Sequence, residues 1–71
     1  MYNLNKLKGR IIEKFGTQGN FAKAMGMSER TVSLKLDNQV DWKQSEIVKA
    51  CELLKIPKEE IADYFFTLKV Q

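Results

Sequence analysis

Residues 18–32 of this chain read QGNFAKAMGMSERTV, and the spacing of small and apolar residues within them is the most informative feature of the sequence. Two short helices that meet at a steep angle need a small residue where their backbones approach, and Ala22 is placed for that contact. They also need a residue that tolerates positive φ at the corner between them, which is the position of Gly26. Val32 supplies an apolar side chain from the second helix of the pair. This spacing predicts a helix-turn-helix over about residues 17–36.

Hydroxyl side chains stand before both helices of this pair and favour the same boundaries. The Thr17 side chain can accept a hydrogen bond from the free amides at the start of the first helix. Ser28 can do the same for the second helix, which is expected to run to about Leu36. Both helices are therefore predicted to be short, with Gly26 ending the first one after about two turns.

The sequence outside the motif predicts three more helices. Apolar residues recur at steps of three and four over Leu4–Phe15 and again over Ile47–Leu54, as they do along one face of a helix. Pro57 breaks the chain, and the acidic stretch that follows Lys58 favours a short fifth helix. The polar stretch 37–41 is expected to form a loop that reaches away from the core.

Residues 65–71 lose helical periodicity, and their aromatic and β-branched side chains suit an extended tail or a short strand. A strand needs a partner, which could belong to this chain or to a second copy. We favour packing on the chain's own core and keep a dimer contact as the alternative. The prediction is an all-α fold, a five-helix helix-turn-helix domain with a short extended C-terminal tail, in which residues 1–71 form a single domain.

Composition excludes several kinds of chemistry. The sequence has no histidine and one cysteine, which rules out an intrachain disulfide, a zinc site of ordinary ligands and histidine-dependent catalysis. Cys51 is expected to be a buried apolar residue. No apolar run approaches the roughly 18 residues that span a bilayer, and the first residues do not resemble a signal peptide. We therefore expect a cytoplasmic protein that is not an enzyme, has no membrane or small-molecule partner, and uses no cofactor or metal.

Charge is distributed unevenly along the chain. The formal net charge is +3, but residues 1–36 carry seven basic and two acidic side chains, a net +5. Residues 37–71 carry five basic and seven acidic side chains, a net −2. A basic half suits contact with phosphates, although solvated helices of no particular function show similar patterns.

The spacing of Ala22, Gly26 and Val32, with the helices before and after them, resembles the helix-turn-helix of phage repressors and Cro proteins, a family of five-helix lambda-repressor-like domains. The resemblance covers nearly the whole chain. It implies a small regulator of a temperate phage of Gram-positive bacteria, either a Cro-type protein or an antirepressor (modulator of repression). One departure is Lys35, which stands where the family usually has a buried apolar residue. Leu36 is expected to take that buried position, which would leave Leu34 on the exposed face.

By this resemblance, Gln18 would hold a phosphate while the first turn of the third helix enters the major groove. Arg30 is the strongest candidate for a base contact, because its forked donors match the acceptors of guanine. Glu29 could accept a hydrogen bond from cytosine, or it could simply complement the helix N-terminus. The residues expected to contact DNA or a partner are Gln18, Lys23, Ser28, Glu29, Arg30, Thr31, Ser33, Leu34, Lys35, Asn38 and Gln39, with Lys43 as a further contact to the DNA backbone.

Two functions follow from the resemblance. The first is operator binding by a Cro-type regulator of the switch between lysis and lysogeny, in which a homodimer would read half-sites one helical turn apart. A chain this short is expected to lack the separate oligomerisation domain of full-length repressors, which favours the Cro type. The second is an antirepressor that binds the cognate phage repressor and blocks its DNA-reading surface. This second function is suggested by the acidic and apolar neighbours of Arg30, namely Glu29, Leu34, Asp37 and Asp41. From the sequence we favour operator binding.

Overall fold

The structure is a computed structural model that describes residues 1–70. Within that range it contains five α-helices and a 3₁₀ turn: α1 (Asn5–Phe15), α2 (Gln18–Met25), α3 (Glu29–Leu36), α4 (Gln44–Leu54), the 3₁₀ turn (Lys58–Glu60) and α5 (Ile61–Phe65). This order confirms the predicted all-α architecture of five helices. No helix among these residues is long and apolar enough to cross a membrane.

The predicted boundaries of α2 are confirmed, because Thr17 caps its start and Gly26 caps its end. The Thr17 hydroxyl accepts a hydrogen bond from the backbone N–H of Asn20 at 3.1 Å, which caps the start of the helix. Gly26 adopts φ +74° at the corner, in the left-handed region that glycine enters without strain. The Met27 N–H then reaches back to the Ala22 carbonyl at 2.9 Å and closes the end of the helix.

The core lies between α1, the α2–α3 pair and α4, and it contains the apolar residues that the periodicity selected. Phe21 and Val32 are fully buried in it, as are Leu7 and Leu54. Cys51 is also buried, as expected, and burial raises the pKa of its thiol. The complete buried apolar set is Leu4, Leu7, Ile11, Phe21, Ala22, Met25, Val32, Leu36, Ala50, Cys51, Leu54, Ile56, Tyr64 and Phe65.

Two cationic side chains tie neighbouring helices together by hydrogen bonds to carbonyls at helix ends. The Arg10 guanidinium donates to the carbonyls of Leu54 at 2.8 Å and Lys55 at 3.0 Å, at the end of α4. The Lys49 ammonium on α4 donates to the Met25 carbonyl at 3.2 Å, at the end of α2. Positive groups at these positions satisfy carbonyls that have no partner within their own helix. Arg10, a charged residue of α1, therefore links α1 to α4.

The chain termini form a short ribbon, for which we use the name terminal ribbon: residues 1–3 and 66–70. Tyr2 and Leu68 make an isolated antiparallel bridge. The Asn3 N–H donates to the Thr67 carbonyl at 2.6 Å, and the Lys69 N–H donates to the Met1 carbonyl at 3.2 Å. The extended tail thus finds a partner within its own chain, the alternative that the sequence favoured. The part of that prediction that concerns Gln71 lies outside the described residues.

Candidate partner-binding surface

The start of α3 is built by a hydroxyl pair. The Ser28 hydroxyl accepts a hydrogen bond from the Thr31 N–H at 3.1 Å and donates to the Thr31 hydroxyl at 2.8 Å. Ser28 is thereby confirmed as the cap of α3. Both hydroxyls are partly used by this local structure, which reduces what they can offer to a base or a partner.

The outer side of α3, by which we mean Glu29, Arg30, Ser33 and Leu34, combines charge with an apolar residue. Glu29 and Arg30 are exposed, whereas Ser33 and Leu34 are half-buried. Leu34 is less exposed than the sequence predicted. The chain after α3 turns back at this point, since the N–H of Gln39 donates to the Leu34 carbonyl at 2.9 Å.

The carboxylate of Glu29 lies against the first turn of α2. A Cβ atom on Gly19 would be 3.3 Å from one carboxylate oxygen of Glu29, so this glycine leaves the space that the carboxylate uses. The start of a helix carries a partial positive charge, which favours a carboxylate there. The same turn would hold a DNA phosphate in a helix-turn-helix protein. In this chain the Glu29 carboxylate already places a negative charge beside that turn, at Gly19.

Lys35 does not belong to the surface, which corrects the prediction that it contacts DNA or a partner. Its side chain is only 4% exposed, and its ammonium is held by the Glu46 carboxylate at 2.9 Å and the Asp41 carbonyl at 2.9 Å. An ammonium this deeply buried needs such partners, because desolvation without them is strongly unfavourable. Lys35 thus pins the loop after α3 to the start of α4.

Glu46 is the half-buried partner of Lys35, and the contact with Lys35 favours its ionised form. Burial raises the pKa of Glu46, but hydrogen bonds from the Lys35 ammonium and the Lys43 N–H, together with their positive charges, outweigh that effect. The pKa of Glu46 therefore lies below its ordinary value. Glu46 is therefore ionised at neutral pH and keeps its contact with Lys35, and the loop over residues 37–43 is held against the core instead of reaching away from it.

Asn38 is also used within the fold, contrary to the prediction that it contacts DNA. It adopts φ +64°, which asparagine tolerates better than most residues. Its side-chain amide donates to the Tyr2 carbonyl at 2.8 Å and accepts from the Tyr2 N–H at 3.0 Å. Of the remaining predicted contacts, Lys23 and Gln39 are exposed and Gln18 is half-buried.

Sequence reasoning missed an aromatic groove between the loop after α3 and the terminal ribbon. The groove has a volume of about 270 Å³, and its walls include Tyr2, Val40, Trp42 and Phe66. Trp42 packs edge-on against Phe65 with ring centroids 5.3 Å apart. The loss of helical periodicity from residue 65 onward was the one signal in the sequence, but it did not indicate which surface the aromatic rings would line.

The described residues do not bring together a metal site. No group of three or more Cys, Asp or Glu side chains within residues 1–70 could hold a metal ion. The exposed Glu29 and Arg30 beside the half-buried Leu34 are suited to binding a macromolecule, because they present charge and an apolar contact on one helix.

This chain is similar over almost its whole length to a protein of solved structure. That protein is the modulator of repression (MOR) of the temperate bacteriophage TP901-1 from Lactococcus lactis, whose solution structure shares 54% sequence identity with this chain and gives a TM-score of 0.82. The similarity covers 99% of this chain and 95% of that chain. No curated protein sequence matches the chain. Residues 1–68 match the family described as "Protein of unknown function (DUF739)", and the chain belongs to this DUF739 family.

Proposed function

We propose that this chain is a modulator of repression of a temperate phage, an antirepressor that binds the phage repressor and covers the surface with which the repressor reads DNA. It would act in the cytoplasm of the bacterial host. The identity of 54% to a modulator of repression, over nearly the full length of both chains, supports this function over Cro-type operator binding.

The position of the Glu29 carboxylate carries the proposal. A helix-turn-helix that binds DNA brings the start of its first motif helix close to a phosphate. In this chain that approach would set a phosphate beside the carboxylate that faces Gly19. The Glu29 carboxylate and the phosphate would repel each other, and a favourable contact between Arg30 and a base would not remove that repulsion. The surface is therefore better suited to a positively charged partner than to nucleic acid.

A phage repressor offers such a partner. The surface with which a repressor binds DNA is rich in basic side chains, because phosphate contacts supply much of its affinity. The exposed Glu29, with the exposed Asp37 and Asp41 after the helix, complements basic side chains. Leu34 adds a half-buried apolar side chain on the same helix. A repressor bound here could not contact its operator at the same time.

A competition experiment tests this function. The phage repressor is bound to labelled operator DNA, this protein is added in excess, and the fluorescence anisotropy of the DNA is followed. We expect the repressor to be displaced by the wild-type protein. We expect Glu29→Lys to displace it at least about tenfold less well, since a favourable charge pair becomes a repulsive one.

Glu52→Lys is the matched control for that experiment. Glu52 is exposed and lies on α4 instead of α3, so its replacement makes the same change of charge on another helix. We expect it to displace the repressor almost as well as the wild type. Unchanged occupancy of the operator at a large excess of the wild-type protein would reject the antirepressor function.

Direct operator binding is the second candidate, and the exposed Arg30 in the first turn of α3 favours it. If this protein reads an operator, Arg30→Ala should lose roughly 1–3 kcal/mol of binding and relax the preference at one base pair. The measurement is anisotropy with a series of phage promoter fragments at low salt. Equal, weak binding to every fragment would reject this candidate.

A further inference from the structure

We infer that two copies of this chain pair through the free edge of the terminal ribbon and form a weak symmetric dimer. The inference concerns residues 1–3 and 66–70, on a different part of the molecule from the outer side of α3. It does not depend on which partner α3 binds, so it can fail or succeed separately from the proposed function.

The hydrogen bonds of the ribbon determine which backbone groups remain outside it. Tyr2 and Leu68 are directly opposite each other, and the two interstrand bonds lie on either side of them. In an antiparallel pair of this kind, the N–H and C=O groups of the two opposed residues point away from the partner strand. Each edge of the ribbon therefore presents one donor and one acceptor.

One of these edges is closed by the protein itself. The side-chain amide of Asn38 bonds both the N–H and the C=O of Tyr2, at 3.0 Å and 2.8 Å. Within residues 1–70, neither the N–H nor the C=O of Leu68 has a hydrogen-bond partner, and its side chain is 67% exposed. Exposed strand edges of this kind are templates for pairing with another chain.

A second copy fits the free edge in register. If a two-fold axis relates two antiparallel copies at Leu68, each Leu68 exchanges both of its backbone hydrogen bonds with Leu68 of the other copy. Thr67 then lies opposite Lys69, and Phe66 lies opposite Val70. Lys69 is the one charged residue in 66–70, so this register brings no like charges directly opposite each other.

The apolar side chains of the ribbon favour the same pairing. Tyr2 and Leu68 lie on one face, because directly opposed residues of a strand pair point the same way, and alternation places Val70 there too. These side chains are 38%, 67% and 96% exposed. Pairing would extend the apolar face across both copies and bury part of it.

Closure at Asn38 also limits the assembly to two copies. A ribbon with two free edges could add further chains without end, whereas a ribbon with one free edge closes when two copies meet. The contact is small compared with the roughly 1,000 Å² of a stable interface, so we expect dimers only at high protein concentration.

Sedimentation velocity and amide hydrogen exchange test the dimer on the full chain. We expect the weight-average mass to rise between about 10 μM and 1 mM protein, a range that corresponds to a weak dissociation constant. Exchange at the Leu68 amide should slow over the same range, because that N–H gains a partner only in the dimer. The amides of Asn3 and Lys69 are bonded within one chain and should change little. A monomeric mass at 1 mM with unchanged Leu68 exchange would overturn the inference.

Matched variants assign the contact to the ribbon edge. Leu68→Lys places two ammonium groups opposite each other and should raise the dissociation constant roughly tenfold or more. Val48→Lys makes the same replacement at an exposed position of α4 and should leave the dimer intact. If the protein stays monomeric and Leu68→Lys instead weakens its binding to the phage repressor, the ribbon edge belongs to the repressor and the dimer is rejected.

Discussion

The two sides of the α2–α3 pair follow different rules. The inner side, which includes Phe21, Ala22 and Val32, is buried and has the residues that two crossing helices need. The outer side carries Glu29 beside the first turn of α2, where a DNA-binding protein of this shape would approach a phosphate. The packing of two crossing helices depends on buried apolar contacts, whereas the choice of ligand depends on exposed charge, so the two can vary independently.

The largest change in stability is expected from a substitution on the inner side of the α2–α3 pair. Phe21→Ala should lower the free energy of unfolding by about 3–5 kcal/mol, because it removes a fully buried ring that packs against Phe15 and leaves a cavity in the core. Denaturation by urea at neutral pH measures the change. Ile12→Ala, on the exposed part of α1, is the control and should change it by less than about 0.5 kcal/mol. A loss below about 1 kcal/mol for Phe21→Ala would contradict the packing described.

The next largest change in stability is expected from substitution of the buried Lys35. Lys35→Met should lower the free energy of unfolding by about 2 kcal/mol, because the Glu46 carboxylate loses its main partner while only 16% of its side chain is exposed. Lys8→Met breaks the exposed pair with Asp37 and should cost less than about 0.5 kcal/mol. Adding Glu46→Gln to Lys35→Met should recover part of the loss. Equal effects of Lys35→Met and Lys8→Met in urea denaturation would reject the role of the buried pair.

The same pair predicts how stability depends on pH. The pKa of Glu46 is lower in the folded protein than in the unfolded chain, where it is about 4.3. Its contribution is therefore fully present above that unfolded value and is lost as the pH falls through the folded value. The difference in unfolding free energy between wild type and Glu46→Gln should be largest near neutral pH and should shrink in acid. A difference that stays constant from pH 7 to about pH 3 would contradict this coupling.

Substitution of Glu29, on the outer side, should have the smallest effect on stability. It should have the clearest effect on which ligand the protein binds. Glu29→Gln should change the free energy of unfolding by less than about 1 kcal/mol, the usual range for a carboxylate at a helix start. It should raise the affinity for duplex DNA at low salt by about threefold or more, because a repulsion with phosphate is removed. Glu13→Gln, exposed on α1, is the control for general charge effects. Equal DNA affinities for the two variants would show that Glu29 does not exclude phosphate.

The sequence predicted the fold well at positions where the role of a residue depends on its neighbours along the chain. Thr17 and Ser28 are caps, Gly26 has positive φ, and the apolar periodicity of α1 and α4 marks buried residues. These properties depend on neighbours a few positions away along the chain. Local pattern was therefore enough to place the helices and most of the core.

Prediction failed where a polar side chain finds a partner far along the chain. Lys35 and Asn38 were both predicted to contact DNA or a partner, yet each is held by groups on another element of the fold. The spacing of residues along one helix does not show which distant carbonyl or carboxylate will face them. The position of Glu29 beside Gly19 was hidden for the same reason, since it depends on how α3 crosses α2.

The contacts that Lys35 makes with the Asp41 carbonyl and the Glu46 carboxylate also affect how quickly a partner can bind. A binding segment that is already ordered in the free protein does not lose chain entropy when it binds, and no folding step delays association. Association would then be set by diffusion and by the attraction between opposite charges, and it should slow as salt is added. If this chain is the antirepressor proposed above, it has to bind the repressor before the repressor binds an operator, so its association rate matters as much as its affinity.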